Sequence, residues 1–338
     1  RDAQESRGLG DVYKRQIHVC AQEVEVVTLQ NGDDVQLFFG HDAFIEAMEA
    51  AESGSVITLS PGTFNATDIT KPVTIYGSGY ETKADSLSVA EGMALYPTIL
   101  NGEFRIALDS LEQEEGNLYI EGIYFPNEIF VPQYLKNATL IKCHFFELEF
   151  TVSKNCFISQ CRIYTLKPNA PITMKCSNSI INILRETTDK STLLLQNSII
   201  GNINVKEIRA VFKNCIVLEK SIENFNKNCS AYNSFFASEE CLNSVITQDG
   251  NWRDDKCSII LFGKDNISYS DTSMYELTEE AEKIYLGTDG TQIGIYGGSQ
   301  PFSTKLTIPR VVKRNIAGKT EEGKLKVNIE VEAGDGSF

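Results

Sequence analysis

The chain has 338 residues, 42% of them hydrophobic and 23% charged, and it carries a formal net charge of −15. No apolar run approaches the roughly 20 residues of a membrane-spanning helix. The negative charge argues against a nucleic-acid partner, because Lys and Arg must replace the counterions on phosphate. It also argues against direct binding of a polyanion such as pectate, unless a cation bridges the two.

The first residues look like additions to the folded chain. Residues 1–16 (RDAQESRGLGDVYKRQ) resemble linker read-through, and we exclude them from the fold prediction. Residues 17–21 (IHVCA) resemble the end of a signal peptide, with Val19 and Ala21 at the positions before the cut. This interpretation predicts a protein that begins near Gln22 and is secreted, periplasmic or at the cell surface. The alternative is a short N-terminal strand.

An amphipathic helix is predicted over residues 42–53. Asp42 is the expected N-cap, and Gly54 ends the pattern. The apolar face of this helix consists of Phe44, Ala47, Met48 and Ala51. We expect this face to close the first coil of the repeat structure that follows.

A repeat with a mean step near 19 residues runs through most of the chain. Apolar residues alternate within each copy, which is strand periodicity. Short repeats of one strand-turn-strand unit predict a solenoid, in which each unit packs only on its neighbours. The anchor residues are Ile120, Ile141, Ile158, Cys176, Leu195, Phe212 and Ala231, with weaker copies at Leu59, Ile75 and Ile99.

Three columns of equivalent residues follow the anchors. The first column lies two residues after each anchor and consists of amide side chains, which could form hydrogen bonds with the coils above and below. It contains Gln160, Asn178, Asn197, Asn214 and Asn233. The next column is small because the chain turns there, and it contains Cys161, Ser179, Ser198, Cys215 and Ser234. Five residues past the anchor lies a core column: Phe125, Phe146, Ile163, Ile181, Ile200, Val217 and Phe236.

A further apolar column, four residues past the anchor, could point outward: Tyr124, Phe145, Ile180, Ile199, Ile216 and Phe235. A wet apolar stripe is unusual on a soluble monomer. Either a bulge or a covering segment buries these residues, or they form a surface for a partner or a glycan. Under the second alternative, Tyr124, Phe145 and Phe235 are candidate binding residues.

Two segments resemble known proteins. Residues 41–81 (HDAFIEAMEAAESGSVITLSPGTFNATDITKPVTIYGSGYE) resemble the opening of pectin-lyase-like proteins, with a capping helix, a strand, Pro-Gly-Thr-aromatic and a Val-Thr-Ile-x-Gly strand. Residues 287–302 (GTDGTQIGIYGGSQPF) resemble a closing segment in secreted Bacteroidetes proteins. The resemblance implies an all-β fold, a right-handed single-stranded parallel β-helix over residues 22–302.

Residues 303–338 are expected to form a small C-terminal β module. Two strands, LTIPRVV (306–312) and KLKVNIEVE (324–332), flank a polar connection. Val327, Ile329 and Val331 alternate with polar residues, which predicts that one face is buried.

The catalytic motifs that enzymes of this fold carry are missing. The chain has three histidines and no Gly-His-Gly or Arg-x-Lys motif. Arg162, Glu147 and Glu149 could meet across two coils and are weak catalytic candidates. Two carboxylates are too few for Ca²⁺, which takes about 6–8 oxygen ligands. We therefore expect a cluster without a third carboxylate, no metal site and no cofactor, with Ca²⁺ relevant only if the chain is a lyase.

Three hypotheses of function follow. The first is an exported β-helix that binds a glycan or a cell-surface partner without catalysis. The second is a divergent polysaccharide lyase or glycoside hydrolase acting on acidic polysaccharide, and the third is a structural spacer. Eight of the nine cysteines lie beyond Cys20, and their positions in the repeat predict that several are buried thiols.

Overall fold

The computed structural model describes residues 25–108, 116–169, 172–185, 192–204, 209–220, 229–243, 245, 247–265, 267, 269, 275–316, 324 and 326–334. The predicted linker-derived tail (1–16) and signal-peptide remnant (17–21) lie outside these residues. The described chain is a parallel β-solenoid of about nine coils, followed by a small antiparallel sheet.

The described strands of the solenoid form one continuous sheet wound around it, and the wall that contains the anchor residues, which we call the first sheet, carries an antiparallel extension at its N-terminal end. Its strands are β1 (Val26–Asn31), β2 (Asp34–Phe39), β3 (Val56–Leu59), β5 (Thr74–Tyr76), β8 (Leu118–Glu121), β10 (Ala138–Ile141), β13 (Ile172–Ser177), β15 (Thr192–Gln196), β17 (Ala210–Lys213), β19 (Ser230–Tyr232) and β21 (Thr247–Asp249).

The strands after the corner form the remaining walls of the coil. They are β4 (Gly62–Asn65), β6 (Thr98–Asn101), β7 (Phe104–Arg105), β9 (Tyr124–Lys136), β11 (His144–Ser159), β12 (Arg162–Pro168), β14 (Ile180–Arg185), β16 (Ile199–Asn204), β18 (Ile216–Val217), β20 (Phe235–Phe236) and β22 (Trp252–Arg253). Strand β11 is long enough to continue around the coil into the first sheet, where it pairs with β10 and β13.

The hydrophobic core fills the solenoid, and the strand register corrects three predicted anchors. Leu140, not Ile141, pairs with Ile120 and Ile158. In the upstream coils the equivalent residue is Ile57 rather than Leu59, because Ile57 pairs with Ile75. Ile99 lies on β6, which pairs with β4 and β9 on another wall of the coil. Sequence similarity alone does not detect these misplaced anchors, because a neighbouring apolar residue satisfies the same pattern.

The corner after the first sheet requires a left-handed backbone, which explains its amide residues. Asn178, Asn197, Asn214 and Asn233 have φ between 43° and 56°. Asn adopts this conformation more readily than most residues, because its short polar side chain can bond locally. The four asparagines lie on consecutive coils, since their strands pair in sequence.

A C-terminal strap, residues 286–307, runs back along this corner towards the N-terminal coils. The Asn233 amide donates to the carbonyl of Leu286 (3.0 Å), and the Asn178 amide donates to the carbonyl of Ile295 (2.9 Å). Near the other end, the Thr307 N–H donates to the Glu121 carboxylate (2.6 Å). The expected bond between stacked amides occurs from Asn214 to Asn197 (3.1 Å). The corner amides therefore bind the strap as well as each other.

The outward apolar column is covered, as one of the two alternatives predicted. Ile180, Ile199, Ile216 and Phe235 are buried against a second hydrophobic cluster formed by the C-terminal segment, including Leu261, Phe262, Ile293, Ile295 and Phe302. The C-terminal segment thus shields this apolar column from solvent, and the column offers no open binding surface.

The N-terminal end is closed by a helix, α1 (Ala43–Ala50). The predicted face is buried, at 0% to 4% exposure for Phe44, Ala47, Met48 and Ala51. The helix is shorter than the predicted 42–53, because Ala51 is already extended. Asp42 stands at the N-cap without a side-chain cap bond and accepts instead from the Asn65 amide.

Four short helices follow in the described part of the chain, and none of them approaches the length of a membrane span. They are α2 (Ser86–Ala90), α3 (Glu239–Asn243), α4 (Cys257–Phe262) and α5 (Glu279–Ile284). Among the described residues, no helix is both long and apolar enough to cross a bilayer. The eight described cysteines are buried and free of disulfides, including Cys161 and Cys215, which share a column.

The C-terminal module is a two-stranded antiparallel hairpin, which we call the terminal hairpin. Its strands are β23 (Arg310–Ile316) and β24 (Val327–Glu332). The prediction that one face would be buried is wrong: Val327, Ile329 and Val331 are 45%, 59% and 58% exposed. In the described part of the chain, nothing packs on this face as the C-terminal segment packs on the solenoid.

Candidate functional site

Glu147 and Glu149 lie on the outer surface of one wall of the solenoid, where each pairs with residues of the coils before and after. Glu147 lies opposite Glu128 of β9 and Thr165 of β12. Glu149 lies opposite Phe130 and Lys167. Two outward columns of polar and aromatic side chains therefore run side by side across adjacent coils.

These columns bring three carboxylates together, which we call the carboxylate cluster: Glu128, Glu147 and Glu149. One oxygen of each lies within 4.8 Å of the others. The prediction of a cluster without a third carboxylate is therefore wrong. Strand β9 contains an extra residue relative to β11, and the resulting register shift places Glu128 opposite Glu147. A count of residues from the anchors misses this, because Glu128 lies one residue further along its coil.

The cluster contains its own cation. The Lys167 ammonium contacts a Glu147 oxygen and lies 3.3 Å from a Glu149 oxygen. The Asn169 amide donates to the other Glu149 oxygen at 2.7 Å. All three residues of the ion network are only 14% to 18% exposed. The partners of Glu147 and Glu149 are thus fixed, while Glu128 forms the open edge of the cluster.

Burial and neighbouring carboxylates raise the pKa of Glu128. Desolvation is the largest cause, followed by its hydrogen bond with Glu149, and the Lys167 charge opposes both. The pKa of Lys167 responds in the complementary way. Burial lowers it, but the hydrogen bonds and charges of Glu147, Glu149 and Glu128 outweigh burial and raise it. Glu128 therefore holds its proton more readily than a glutamate in water does.

This donor set does not fit Ca²⁺. Three carboxylates supply at most six of the six to eight oxygens that this ion takes, and the Lys167 ammonium and the Asn169 amide already bind three of those oxygens. A cation at the cluster would have to compete with a charge of the same sign.

A groove of about 570 Å³ adjoins the cluster. Its lining consists of Asp68, Glu103, Phe104, Arg105, Glu128 and Phe130. Its volume is within the range of sites for small ligands. Because Arg105 lies opposite Phe130 and Phe130 opposite Glu149, the groove and the cluster are continuous along one column of residues.

An exposed aromatic pair borders the other side of the cluster. Phe146 and Tyr164 stack with parallel rings, 5.3 Å between centroids. Phe146 is 46% exposed and Tyr164 37%. They immediately precede Glu147 and Thr165, so the pair lies next to the cluster, where the pairing of β9 with β11 is irregular. Tyr269 packs edge-on against Tyr164 at 5.6 Å.

The prediction that Arg162 meets Glu147 and Glu149 is wrong. It is 3% exposed and lies opposite His144 and Ile180, under the C-terminal segment. Its guanidinium lies 5.5 Å from the centre of the Phe302 ring. His144, its register partner, is three residues before Glu147, roughly 10 Å along the strand. The cation at the cluster is Lys167, which lies five residues beyond Arg162.

The three predicted binding aromatics are also not open to a ligand. Phe145 is a core residue, fully buried and stacked on Phe125 at 5.0 Å. Phe235 is 1% exposed and packs edge-on against Tyr285. Tyr124 is half-buried and stacks on His144 at 4.7 Å. The shifted anchor explains the error at Phe145: the exposed aromatic of that coil is its neighbour Phe146.

Comparisons with protein-family models, curated proteins and solved structures give no match to this chain. The parallel solenoid is therefore established by the strand register alone. Membership of the pectin-lyase-like family and the similarity to Bacteroidetes proteins stay predictions from the sequence.

Proposed function

We propose that this protein is an exported β-solenoid that binds a saccharide on the wall formed by the groove, the carboxylate cluster and the aromatic pair. The observation that carries the proposal is the exposed, stacked pair Phe146–Tyr164 beside a row of carboxylates. Aromatic faces pack against the apolar faces of sugar rings, as they do against other apolar surfaces. Carboxylates accept hydrogen bonds from hydroxyl groups.

The charge of this wall favours a neutral or amine-bearing saccharide over a polyuronate. Asp68, Glu103 and Glu128 line the groove with a single cation, Arg105. The cluster adds Glu147 and Glu149 against Lys167. A polyanionic chain would meet an excess of negative charge, consistent with the net charge of −15 for the whole chain.

A glycan array tests this proposal, followed by titration of the best ligand into matched variants. Phe146→Ala and Tyr164→Ala should each weaken binding about tenfold or more, as expected for a central aromatic contact. Tyr96→Ala is the control, since Tyr96 is similarly exposed (38%) but lies in a different part of the coil. Absence of any array ligand, or equal loss in the control, would contradict the proposal.

Hydrolysis of the bound saccharide is a second candidate, favoured by the raised pKa of Glu128. Glu128 as the acid could donate its proton to the glycosidic oxygen while a second carboxylate attacks the anomeric carbon, so that the glycosidic bond breaks as a glycosyl ester forms. Water then hydrolyses this ester, and Glu128 recovers its proton from that water. Carboxyl groups of retaining glycosidases lie about 5–5.5 Å apart, close to the separation of at most 4.8 Å between oxygens here. Release of reducing ends from the array ligand, abolished by Glu128→Gln, would establish it; binding without turnover would exclude it.

A further inference from the structure

The terminal hairpin carries an apolar face that the described chain leaves in water. Val311, Val327, Ile329 and Val331 are 45% to 59% exposed. Val311 lies opposite Val331, so the four side chains share one face of the sheet. A two-stranded hairpin is marginally stable alone in water and gains stability when this face is covered.

The opposite face of the hairpin is polar and contains ion pairs. Lys313 lies opposite Glu330, and Arg310 bonds Glu332 at 3.1 Å. Arg310 also lies beside Gly79, in an N-terminal coil. The hairpin is thus attached at its base to the solenoid, while its apolar face remains open.

The charge of this region differs in sign from the rest of the chain. Residues 303–338 contain seven Lys or Arg and five Asp or Glu, a net charge of +2 in a chain whose total is −15. Lys313, Lys324 and Lys326 are exposed on or next to the hairpin strands. A basic, partly apolar element on an acidic protein is complementary to a negatively charged apolar surface.

We propose that the terminal hairpin docks the protein on an anionic lipid bilayer. The aliphatic face enters the headgroup–acyl boundary, and Lys324 and Lys326, which lie just before β24, contact the lipid phosphates. The rest of the molecule, with a net charge of −17 by difference, is repelled and held away from the surface. The groove is on the solenoid wall, so docking does not depend on the proposed saccharide binding.

A second copy of the chain fits this face less well than a bilayer. Four aliphatic side chains on two strands bury far less than the roughly 800 Å² per partner of a stable interface. Residues 303–338 carry a net charge of +2 in each copy, so like charge also opposes the pairing of two hairpins.

Co-sedimentation of the full chain with vesicles tests the proposal. Vesicles of equal parts phosphatidylcholine and phosphatidylglycerol should bind the protein, and vesicles of phosphatidylcholine alone should bind it at least tenfold more weakly, because each lysine near an anionic surface contributes roughly fivefold. Added salt should release the protein.

Variants locate the contact. Ile329→Ser with Val331→Ser should reduce partition about tenfold or more, and Lys324→Gln with Lys326→Gln should remove most of the preference for anionic lipid. Leu37→Ser is the control, because Leu37 is equally exposed (55%) but lies on β2. No binding of the unaltered chain to anionic vesicles would overturn the proposal. So would binding that the hairpin variants leave unchanged, or a hairpin-dependent dimer detected by light scattering.

Discussion

Replacement of Lys167 by Met tests the electrostatic account of the carboxylate cluster. The substitution keeps the length of the side chain and removes the charge that Glu147 and Glu149 share. An ammonium and a carboxylate about 4 Å apart attract by about 4 kcal/mol at the effective dielectric of a protein surface. Desolvation and ordering cancel most of this attraction, and exposed pairs keep about 1 kcal/mol or less.

Lys167 exceeds that value because it has two partners and is only 14% exposed. We therefore expect Lys167→Met to lower the free energy of unfolding by about 2 kcal/mol at neutral pH. Urea unfolding followed by circular dichroism measures the change through the midpoint, provided that the slope is unaltered. Lys175→Met is the control, since Lys175 is exposed and its ammonium contacts only the Phe157 ring among the described residues, at 5.5 Å.

The loss of stability in Lys167→Met should depend on pH, and the raised pKa of Glu128 gives the direction of that dependence. The folded-state pKa of Glu128 is raised, so its protonation favours the folded protein, and this contribution is lost as pH rises through that pKa. Without Lys167, which lowers the pKa of Glu128, that pKa should rise further. The penalty of Lys167→Met should thus be smaller near pH 5 than near pH 8. A penalty below about 0.5 kcal/mol at neutral pH, or one that grows on acidification, would refute the account.

Three further predictions test the register, the corner and the thiols. Phe145→Ala should cost about 3–5 kcal/mol of stability, as a buried Phe does, whereas Phe146→Ala should cost under about 1 kcal/mol; equal costs would contradict the register. Asn214→Ala should cost about 2 kcal/mol, because it loses the left-handed backbone preference and the bond from the Thr288 N–H. Asn214→Gly should cost less than Asn214→Ala in the same unfolding assay, since glycine restores the backbone conformation. Thiol titration should find the eight described cysteines unreactive until the chain unfolds, since burial raises the pKa of most of these thiols to about 11 or 12. Rapid reaction of the folded protein would contradict their burial.

The solenoid could be predicted from the sequence because its constraints repeat. One anchor column, one amide column and one core column recur in successive coils. The fold prediction therefore rests on many coils and does not change when one of them is misaligned. The amide column recurs because the corner requires a left-handed backbone: Asn178 and Asn233 adopt φ values of 47° and 43°. Even a slipped coil, in which Leu140 rather than Ile141 is the anchor, left the fold prediction intact.

The candidate site could not be predicted in the same way, because it depends on single coils. Glu128 lies eight residues after Ile120, while Glu147 lies seven after Leu140. Only the register shift between β9 and β11 brings the two together. Lys167 lies beyond the columns that the sequence repeat defines, and continuing the repeat with Leu140 as the anchor places it opposite Glu149.

The sequence predicted a covering segment only as one of two alternatives, the other being an exposed binding surface. The sequence indicates that an apolar column would be wet without a cover, but it does not say which segment covers it. Tertiary packing of Ile293 and Ile295 against Ile199 and Ile216 decides this, through contacts between residues far apart in the chain.

A crystal structure with the strongest glycan-array ligand tests the central claim most directly. The account predicts a sugar ring against Phe146 and Tyr164, with hydroxyl groups bonded to the carboxylate cluster. A ligand bound at any other face of the solenoid, with the Phe146–Tyr164 surface still in solvent, would contradict it.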